Sequence, residues 1–538
     1  MAAIIDHPGG AARPETEDAT GKLVAVLGDE HVLLDAETRR WYAADFTDTD
    51  VPLPIAVVQP ATTEDVVEVV RIGTAAGLSL APRGGGMSYT LAHTPGNERT
   101  VVVDLRRMDR IVELNLDDRY VTVEAGVTWA RLMETLRGTG YWLTFNGTLS
   151  GLHATVGGTL SQNSVGLGRG WLSDAVLGLE VVLGDGRVLV TGSGAAEGSS
   201  PYHRHFGPDL SGLFLTDSGA FGFKTRATLR LDPVPGGTAF GCFSFDDARS
   251  LVAAEIEIAR TGLVSECLGA DSFMNKVMAE MPPPPREEAM KVVKAFLATS
   301  SSKPRALRTL ARMARPGGMK FMAKVPFSLA LITDAADQAA ADRNLARLRR
   351  IAKRHGGSPV PPTFTLGLRY APYQPIHPLM IGKHGEAGFP SNALFPLSRA
   401  FVAVEALDRF MAENATMMRE HGIYEVRNYL VCGHGFGLEP IIFWPDRLSP
   451  YRASWAAPEQ REQFADAPDN GAARAAALDL RRRMIEMFRD IGALHLQLGK
   501  VYPYREALDG TVAWDVVSAI KDQLDPHHAI NPGVLGLR

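Results

Sequence analysis

Apolar and polar positions repeat with two different periods along the first half of the chain, and the period switches often. Residues 55–59 form a short apolar, β-branched run that stops at Pro60. Thr62 or Thr63 can then cap a helix through Ala76, with Val66, Val67, Val69, Val70 and Ile72 on one side and Glu64 and Asp65 in the first turn. Runs at 78–82, 100–104, 111–115 and 120–125 predict strands, and 129–139 predicts a helix. Strand-like runs at 177–183 and 188–191 flank Asp185-Gly186, a two-residue hairpin signal, and 213–231 closes this half. The second half alternates strands such as 239–245 with helices such as 247–261 and 335–355, and a last helix is predicted over 514–524. Alternation at this density argues for a mixed α/β or α+β chain.

Residues 1–20, rich in Ala, Gly, Pro and acids, read as a loose tail, with order beginning near Lys22. Pro233-Val234-Pro235-Gly236-Gly237 punctuates a boundary. A length of 538 residues, at roughly 150 per domain, suggests two large domains or three to four small ones. With 45% hydrophobic and 22% charged residues, the chain is neither disordered nor a disulfide scaffold. Its net charge of −5 removes a global basic field for nucleic acid. Cys242, Cys267 and Cys432 form no CxxC pair, so a zinc site is not expected and a reducing cytoplasm fits. No signal-peptide pattern and no long apolar run is visible, which leaves surface attachment to a membrane open.

Glycine changes this picture, because its 53 copies cluster. One cluster is Pro82-Arg83-Gly84-Gly85-Gly86-Met87-Ser88-Tyr89, directly after a predicted strand. Consecutive glycines let backbone N–H groups approach a diphosphate, although a plain tight loop uses them equally well. The segment lacks the Lys and Ser/Thr of a GxxxxGK[ST] loop and is not a GxGxxG helix opening, which disfavours nucleotide hydrolysis and Rossmann-type NAD binding. The second cluster, residues 147–170, reads as a long, nearly uncharged functional loop rich in Gly, Ser and Thr. Such a lining suits a flat, polar-edged ring and a phosphate held by neutral hydrogen bonds.

The arginine–triple-glycine turn, the Ala154-Thr155-Val156-Gly157-Gly158 loop, the 171–186 segment, Asp209–Phe214 with Ser218–Gly222, and the closing Leu524–Gly533 run in order. Together they resemble the FAD-binding domain of the vanillyl-alcohol oxidase / p-cresol methylhydroxylase (PCMH-type) superfamily. The resemblance implies an α+β fold: a two-subdomain FAD-binding domain over 21–233, an antiparallel-sheet cap carrying the substrate over 234–494, and a C-terminal return to the FAD domain over 495–538. It puts Pro82, Arg83, Gly84, Gly85, Gly86, Met87, Ser88 and Tyr89 around the pyrophosphate. Thr148, Thr155, Val156, Gly157, Gly158, Gln162 and Asn163 then lie along the diphosphate and isoalloxazine, Phe221 and Gly222 on the adenine side, and Asn531 in the return. Some relatives attach FAD covalently through a His after the glycines; here that position is Met87, so the FAD is expected to be non-covalent unless His93 or a cap residue substitutes.

The cap is less legible. His495, in a loop before Gly499-Lys500 that resembles those of the alkyl-dihydroxyacetone-phosphate synthase and D-lactate dehydrogenase groups, is a candidate base or substrate ligand, or else a satisfied core histidine. Tyr502 and Tyr504, the latter followed by Arg505, resemble the Tyr-Arg pair that binds phenolate in vanillyl-alcohol oxidase relatives, though closer to the C-terminal closure. Asp174 is offset from the position of the aspartate those relatives use beside the flavin. Arg427 with Tyr429 and Arg369 with Tyr370 lie on strand-like runs and can hold a carboxylate or phenolate, or simply end strands at the surface. Gly433-His434-Gly435-Phe436-Gly437 partly resembles a substrate or metal loop of 2-hydroxy-acid dehydrogenases without its acidic and asparagine positions, and no metal site is expected. Residues 303–324 are basic and amphipathic, suiting either a lid helix or peripheral contact with anionic lipid or an acidic partner.

The expectation is thus an FAD-dependent oxidoreductase acting on a CH–OH group of a small aryl or benzylic alcohol or 2-hydroxy acid, passing electrons to oxygen, a quinone or a cytochrome. A redox-neutral transferase of the alkyl-dihydroxyacetone-phosphate type, or a non-catalytic FAD-binding protein, remains an alternative, and a homodimer is left open.

Overall fold

The computed structural model describes residues 14–143, 148–164, 166–168, 170–280, 320–373 and 380–538, together with isolated positions between 290 and 311. Four strands, β1 (Val32–Leu33), β2 (Ala56–Val58), β3 (Ser79–Arg83) and β4 (Thr100–Asp104), form the first sheet in the order β1-β2-β4-β3. β4 runs parallel to both its neighbours, so the connections must cross over, and the helix Thr63–Ala75 supplies one of them. Thr62 and Asp65 close a capping box at its start, and Val66, Val69 and Val70 bury against Val58, Leu80, Val101 and Val103.

A helix covers Pro14–Leu27, earlier than the expected start of order near Lys22. Ala19, Leu23 and Leu27 repeat every fourth residue and are buried in the core of the first sheet; the Gly, Pro and acidic content of the segment had hidden that stripe.

The second subdomain is antiparallel. β5 (Ile111–Asn115), β6 (Tyr120–Glu124), β7 (Tyr141–Trp142), β8 (Val176–Val182), β9 (Val188–Val190), β10 (Phe223–Arg230) and β11 (Asp232–Pro233) follow in chain order, with the main sheet ordered β5-β6-β10-β8-β9 and β7 pairing β11. The predicted hairpin is β8–β9, with Gly186 at φ 82°. The neutral 147–170 stretch is not all loop. Thr155 caps a helix, Val156–Gln162, whose Gly157 lies so close to Ala125 that a Cβ would fall 2.7 Å from the Ala125 Cβ. Gly157 serves that close packing, and with Gly158 it obscured the helix in the sequence.

The cap is an antiparallel sheet of β12 (Gly237–Phe245), β13 (Glu266–Ala270), β14 (Phe327–Ala335), β15 (Ser358–Pro359), β16 (Ala387–Pro390), β17 (Ala393–Pro396), β18 (Tyr424–Cys432) and β19 (Gly435–Trp444). Helices Ala248–Arg260, Gln338–Arg354, Ala400–Glu420 and Gly471–Asp490 cover one face and build the largest core. On the other face Leu268, Leu430 and Cys432 meet Leu167 and Trp171 of the N-terminal half. The C-terminal return is carried by Leu80, which donates its N–H to the Ala529 carbonyl, and by Asn531, whose N–H bonds the Leu80 carbonyl.

Of the basic 303–324 segment, Arg305, Arg308, Arg312 and Arg315 lie outside the described residues, as does Pro282–Pro285. Lys320–Lys324 is a short 3₁₀ turn. No helix among the described residues is long and apolar enough to cross a membrane.

Candidate active site

The two glycine-bearing segments meet. Gly84 and Gly85 follow the end of β3 and lie against the start of the 156–162 helix. A Cβ at Gly84 would fall 2.3 Å from the Thr155 Oγ1, and one at Gly85 only 1.9 Å from the His153 carbonyl oxygen. Gly86 adopts φ 74°, where an L side chain is strained. The triple glycine is therefore required by backbone approach and leaves a chain-thin, uncharged cradle.

Arg83 does not face this cradle. Its guanidinium is buried among the rings of Trp41, Tyr42 and Tyr451, at 5.0, 5.1 and 5.5 Å, and donates to the Tyr42 carbonyl at 2.8 Å. Its Nη2 also donates to the Tyr451 hydroxyl, which itself donates to the Gly86 carbonyl. Arg83 thus shapes the loop, because three aromatic faces and a carbonyl already occupy its charge. Pro82 packs under Gly219, Met87 bridges the FAD-side and cap cores, and Ser88 shares a hydrogen bond with Thr90. Thr148 bonds Ser150, and Val156 and Gly157 are buried, with the Gly158 N–H donated to Thr155. Gln162 Oε1 is buried without a partner among the described residues, and Asn163 ends the helix in the left-handed region. Phe221 is buried in the core of the second subdomain, and Gly222 lies against Val181. Asn531 donates to the carbonyls of Ala92 and Ser218 and leaves its Oδ1 without a partner among the described residues. A neutral cradle with spare acceptors for ring and ribose donors fits a dinucleotide. His93 is buried, and desolvation holds it well below the usual histidine range.

A second constellation gathers around Asn392. Its N–H donates to the Tyr502 hydroxyl at 2.8 Å, its carbonyl faces His495 Nδ1 at 2.8 Å, and its Oδ1 accepts from the Leu496 N–H. A carbonyl can only accept, so the neutral His495 carries its proton on Nδ1, leaving Nε2 a buried acceptor without a partner among the described residues. Desolvation lowers the His495 pKa to about 4. The Tyr502 oxygen accepts from Asn392, which frees its own proton for another partner. Above the Phe389 ring (4.4 Å) and beside Tyr502 (5.9 Å) sits Arg481, 2% exposed, with Nε and Nη1 unpartnered and no ion pair among the described residues. Tyr89 lies within electrostatic reach of Tyr502, Arg481 and Glu439, and burial pushes its phenol well above the ordinary value. Glu439, bonded by Asn428 at 3.0 Å, is also raised by burial.

Of the five predicted catalytic residues, His495 and Tyr502 are brought together, their rings stacked at 4.5 Å. Tyr504 is not; it opens the helix Tyr504–Leu508 and packs into the core of the second subdomain. Arg427 points to the helix-covered face of the cap sheet, since alternation along β18 sends Asn428 to the opposite side, and it is spent on Glu425 and Asp408. Arg369 lies on the helix Thr363–Tyr370 instead of a strand, over the Trp142 ring at 4.6 Å, with Glu266 and Asp334 as ion-pair partners. Gly433-His434 is the two-residue turn between β18 and β19, with His434 exposed. Asp174 caps a turn by accepting the Trp171 N–H. No metal-holding cluster occurs among the described residues.

Sequence reading missed Arg481, hidden in Arg481-Arg482-Arg483. The signal was periodicity: Ala473, Ala477, Leu480, Met484 and Phe488 mark the buried stripe of that helix, and Arg481 falls on it.

Comparison with known proteins agrees with this architecture. Residues 54–192 match the FAD binding domain family. The chain is 31% identical over 239 residues to a probable mitochondrial D-lactate dehydrogenase of Danio rerio, covering 44% of this chain and 47% of that protein. The chain therefore spans about half the length of the curated relatives it matches. Among solved structures, a 4-ethylphenol oxidase from Gulosibacter chungangensis in complex with isoeugenol superposes with TM-score 0.73 at 19% identity, over 98% of both chains. An alkyldihydroxyacetonephosphate synthase gives 0.65 at 15% identity, over 99% of this chain and 86% of that one. The fold and cradle define an FAD-binding flavoprotein. Residues 54–192 carry the FAD binding domain, and the fold of the whole chain is similar to that of 4-ethylphenol oxidase and p-cresol methylhydroxylase.

Proposed function

We propose that the chain is an FAD-dependent oxidoreductase that oxidises an aryl substrate bearing an acidic oxygen, a phenolic alcohol or alkylphenol, bound as its anion between Tyr89, Tyr502 and Arg481. The observation that carries this reading is Arg481: a buried guanidinium with Nε and Nη1 unpartnered and no direct ion pair among the described residues favours an anion, because burying an unpaired charge is costly. Two phenols beside it donate to the same oxygen, and Phe389 and Tyr502 offer flat apolar faces.

Gly84 to Ser88 and Thr155 to Gly158 would hold the FAD diphosphate, with Gln162 and Asn163 toward the ring. Bound FAD supplies the acceptor for the hydride leaving the substrate C–H. The remaining work falls to the chain. Arg481 fixes the anionic end, His495 Nε2 takes the proton of the alcohol, and Tyr502 and Tyr89 share theirs with the substrate oxygen. Burial raises the Glu439 carboxyl above the usual range, which disfavours a negative charge beside the anion.

A second reading, oxidation of a 2-hydroxy acid, is supported by the same residue, since a guanidinium grips a carboxylate with two parallel hydrogen bonds. The test is an anaerobic screen of the FAD-loaded protein against 4-alkylphenols, hydroxybenzyl alcohols, D-lactate and D-2-hydroxyglutarate. Bleaching by the phenolic set supports the first reading, and bleaching by the acids alone replaces it with the second. Turnover without bleaching overturns both in favour of a redox-neutral transferase. Admitting air afterwards separates an oxidase from a dehydrogenase.

A further inference from the structure

On the outer surface of the cap helices, arginines accumulate in a place that catalysis does not use. In the helix Gln338–Arg354, Leu345, Leu348, Ile351 and Ala352 are buried, while Arg343, Arg347, Arg350 and Arg354 repeat along the exposed face. Arg260 ends the neighbouring helix Ala248–Arg260. Arg260, Arg347, Arg350 and Arg354, with Glu257, Thr261 and Ile351, line a recess of about 380 Å³.

Glu257 is the one acid among these lining residues, and it is already engaged: one carboxylate oxygen pairs with Arg354 and the other with His355 Nε2 at 2.8 Å. Arg260, Arg347 and Arg350 have no ion-pair partner among the described residues. Complementing helix ends does not account for them. Two helix C-termini contribute about half a negative charge each and Glu257 contributes one more, so four guanidiniums leave an excess of about two positive charges. Nor does overall composition, since the chain carries a net charge of −5. The choice of Arg at all four positions matters as well, because its planar fork matches phosphate oxygens bidentately, whereas Lys acts as a point charge.

We infer that this recess is a second binding site, for the diphosphate or polyphosphate group of a soluble small molecule. The concavity, about the size of a small-ligand cleft, favours such a compact polyanion over a flat protein surface.

Calorimetric titration of the full FAD-loaded chain with inorganic pyrophosphate tests it, with sulfate at matched ionic strength as comparator. Wild type is expected to saturate at one site per chain and to prefer pyrophosphate over sulfate. The double variant Arg347→Ser/Arg350→Ser, and Arg260→Ser alone, are expected to bind about tenfold or more weakly, as loss of charge-assisted hydrogen bonds dictates. The control Arg482→Ser/Arg483→Ser, on another exposed surface, should bind as wild type does. Arg260, Arg347, Arg350 and Arg482 are exposed and Arg483 is half-exposed, so folding is not at stake. The inference is overturned by absence of saturable binding, by equal affinity for sulfate, or by unchanged affinity in the recess variants.

Discussion

The imidazole of His495 lies stacked on the phenol of Tyr502, with ring centroids 4.5 Å apart and planes 22° from parallel, and both rings hang from the backbone of Asn392. One short loop therefore sets the tautomer of the histidine and the donor direction of the phenol together. With desolvation holding His495 at about 4, its folded-state pKa lies below the unfolded value near 6.5. The unfolded chain then binds more protons between those two values, so His495 makes the fold less stable as pH falls through that window. Below about 4 both states are protonated and the effect levels off. Replacing His495 with Gln should flatten the dependence of the thermal midpoint on pH between about 4 and 6.5. If His495 is the base, the acid limb of kcat/KM in wild type should break near 4 and not near 6.5.

Arg481→Met keeps length and burial but removes the charge. We expect kcat/KM for anionic substrates to fall about a hundredfold or more. Thermal stability should hold or rise, because an uncompensated buried guanidinium is removed. Steady-state kinetics and a melting curve read the two effects separately.

Tyr451 belongs to the cap yet bonds Gly86 of the FAD loop, and it also accepts from Arg83. Tyr451→Phe should weaken FAD retention by about three- to tenfold, the range of one neutral hydrogen bond. Gly85→Ala, whose Cβ would strike the His153 carbonyl, should abolish retention. Flavin fluorescence released on dilution measures both.

Glu255 is fully buried on the helix Ala248–Arg260 with neither oxygen partnered among the described residues, and burial raises its pKa well above the ordinary carboxyl value. The native state keeps the proton that the unfolded chain loses above about 4.5, so stability falls as pH rises. Glu255→Gln should stabilise by about 1–3 kcal/mol at neutral pH and by little below pH 4, read as the difference in denaturant midpoints.

Met87 stands where some relatives carry the histidine that links FAD. Acid precipitation should therefore leave the flavin in the supernatant; a yellow pellet would mean that another residue forms the bond.

The strands and helices of the FAD-binding half were written locally. Thr62, one of the two cap candidates in the sequence, caps a helix in space, and strands Thr100–Asp104 and Ile111–Asn115 follow their β-branched runs. The cradle was legible for a related reason, since glycines packed against a facing backbone leave a compositional trace. The Val156–Gln162 helix and the Pro14–Leu27 helix were lost because Gly, Pro and short stripes weaken the periodic signal on which such reading depends.

The anion pocket could not be read the same way. Tyr89, Asn392, Glu439, Arg481 and Tyr502 come from five separate segments, and no spacing connects them. Arg427 and Arg481 look alike in sequence, but β18 turns the first toward Glu425 and Asp408 while the helix Gly471–Asp490 turns the second into the interior. By itself the sequence determined most strands and helices of the first half and, through its glycine-rich motifs, the class of cofactor, because these signals rest on neighbours in the chain. Tertiary structure alone decided which arginine is buried with no ion pair among the described residues, because burial and pairing depend on what distant strands and helices bring alongside.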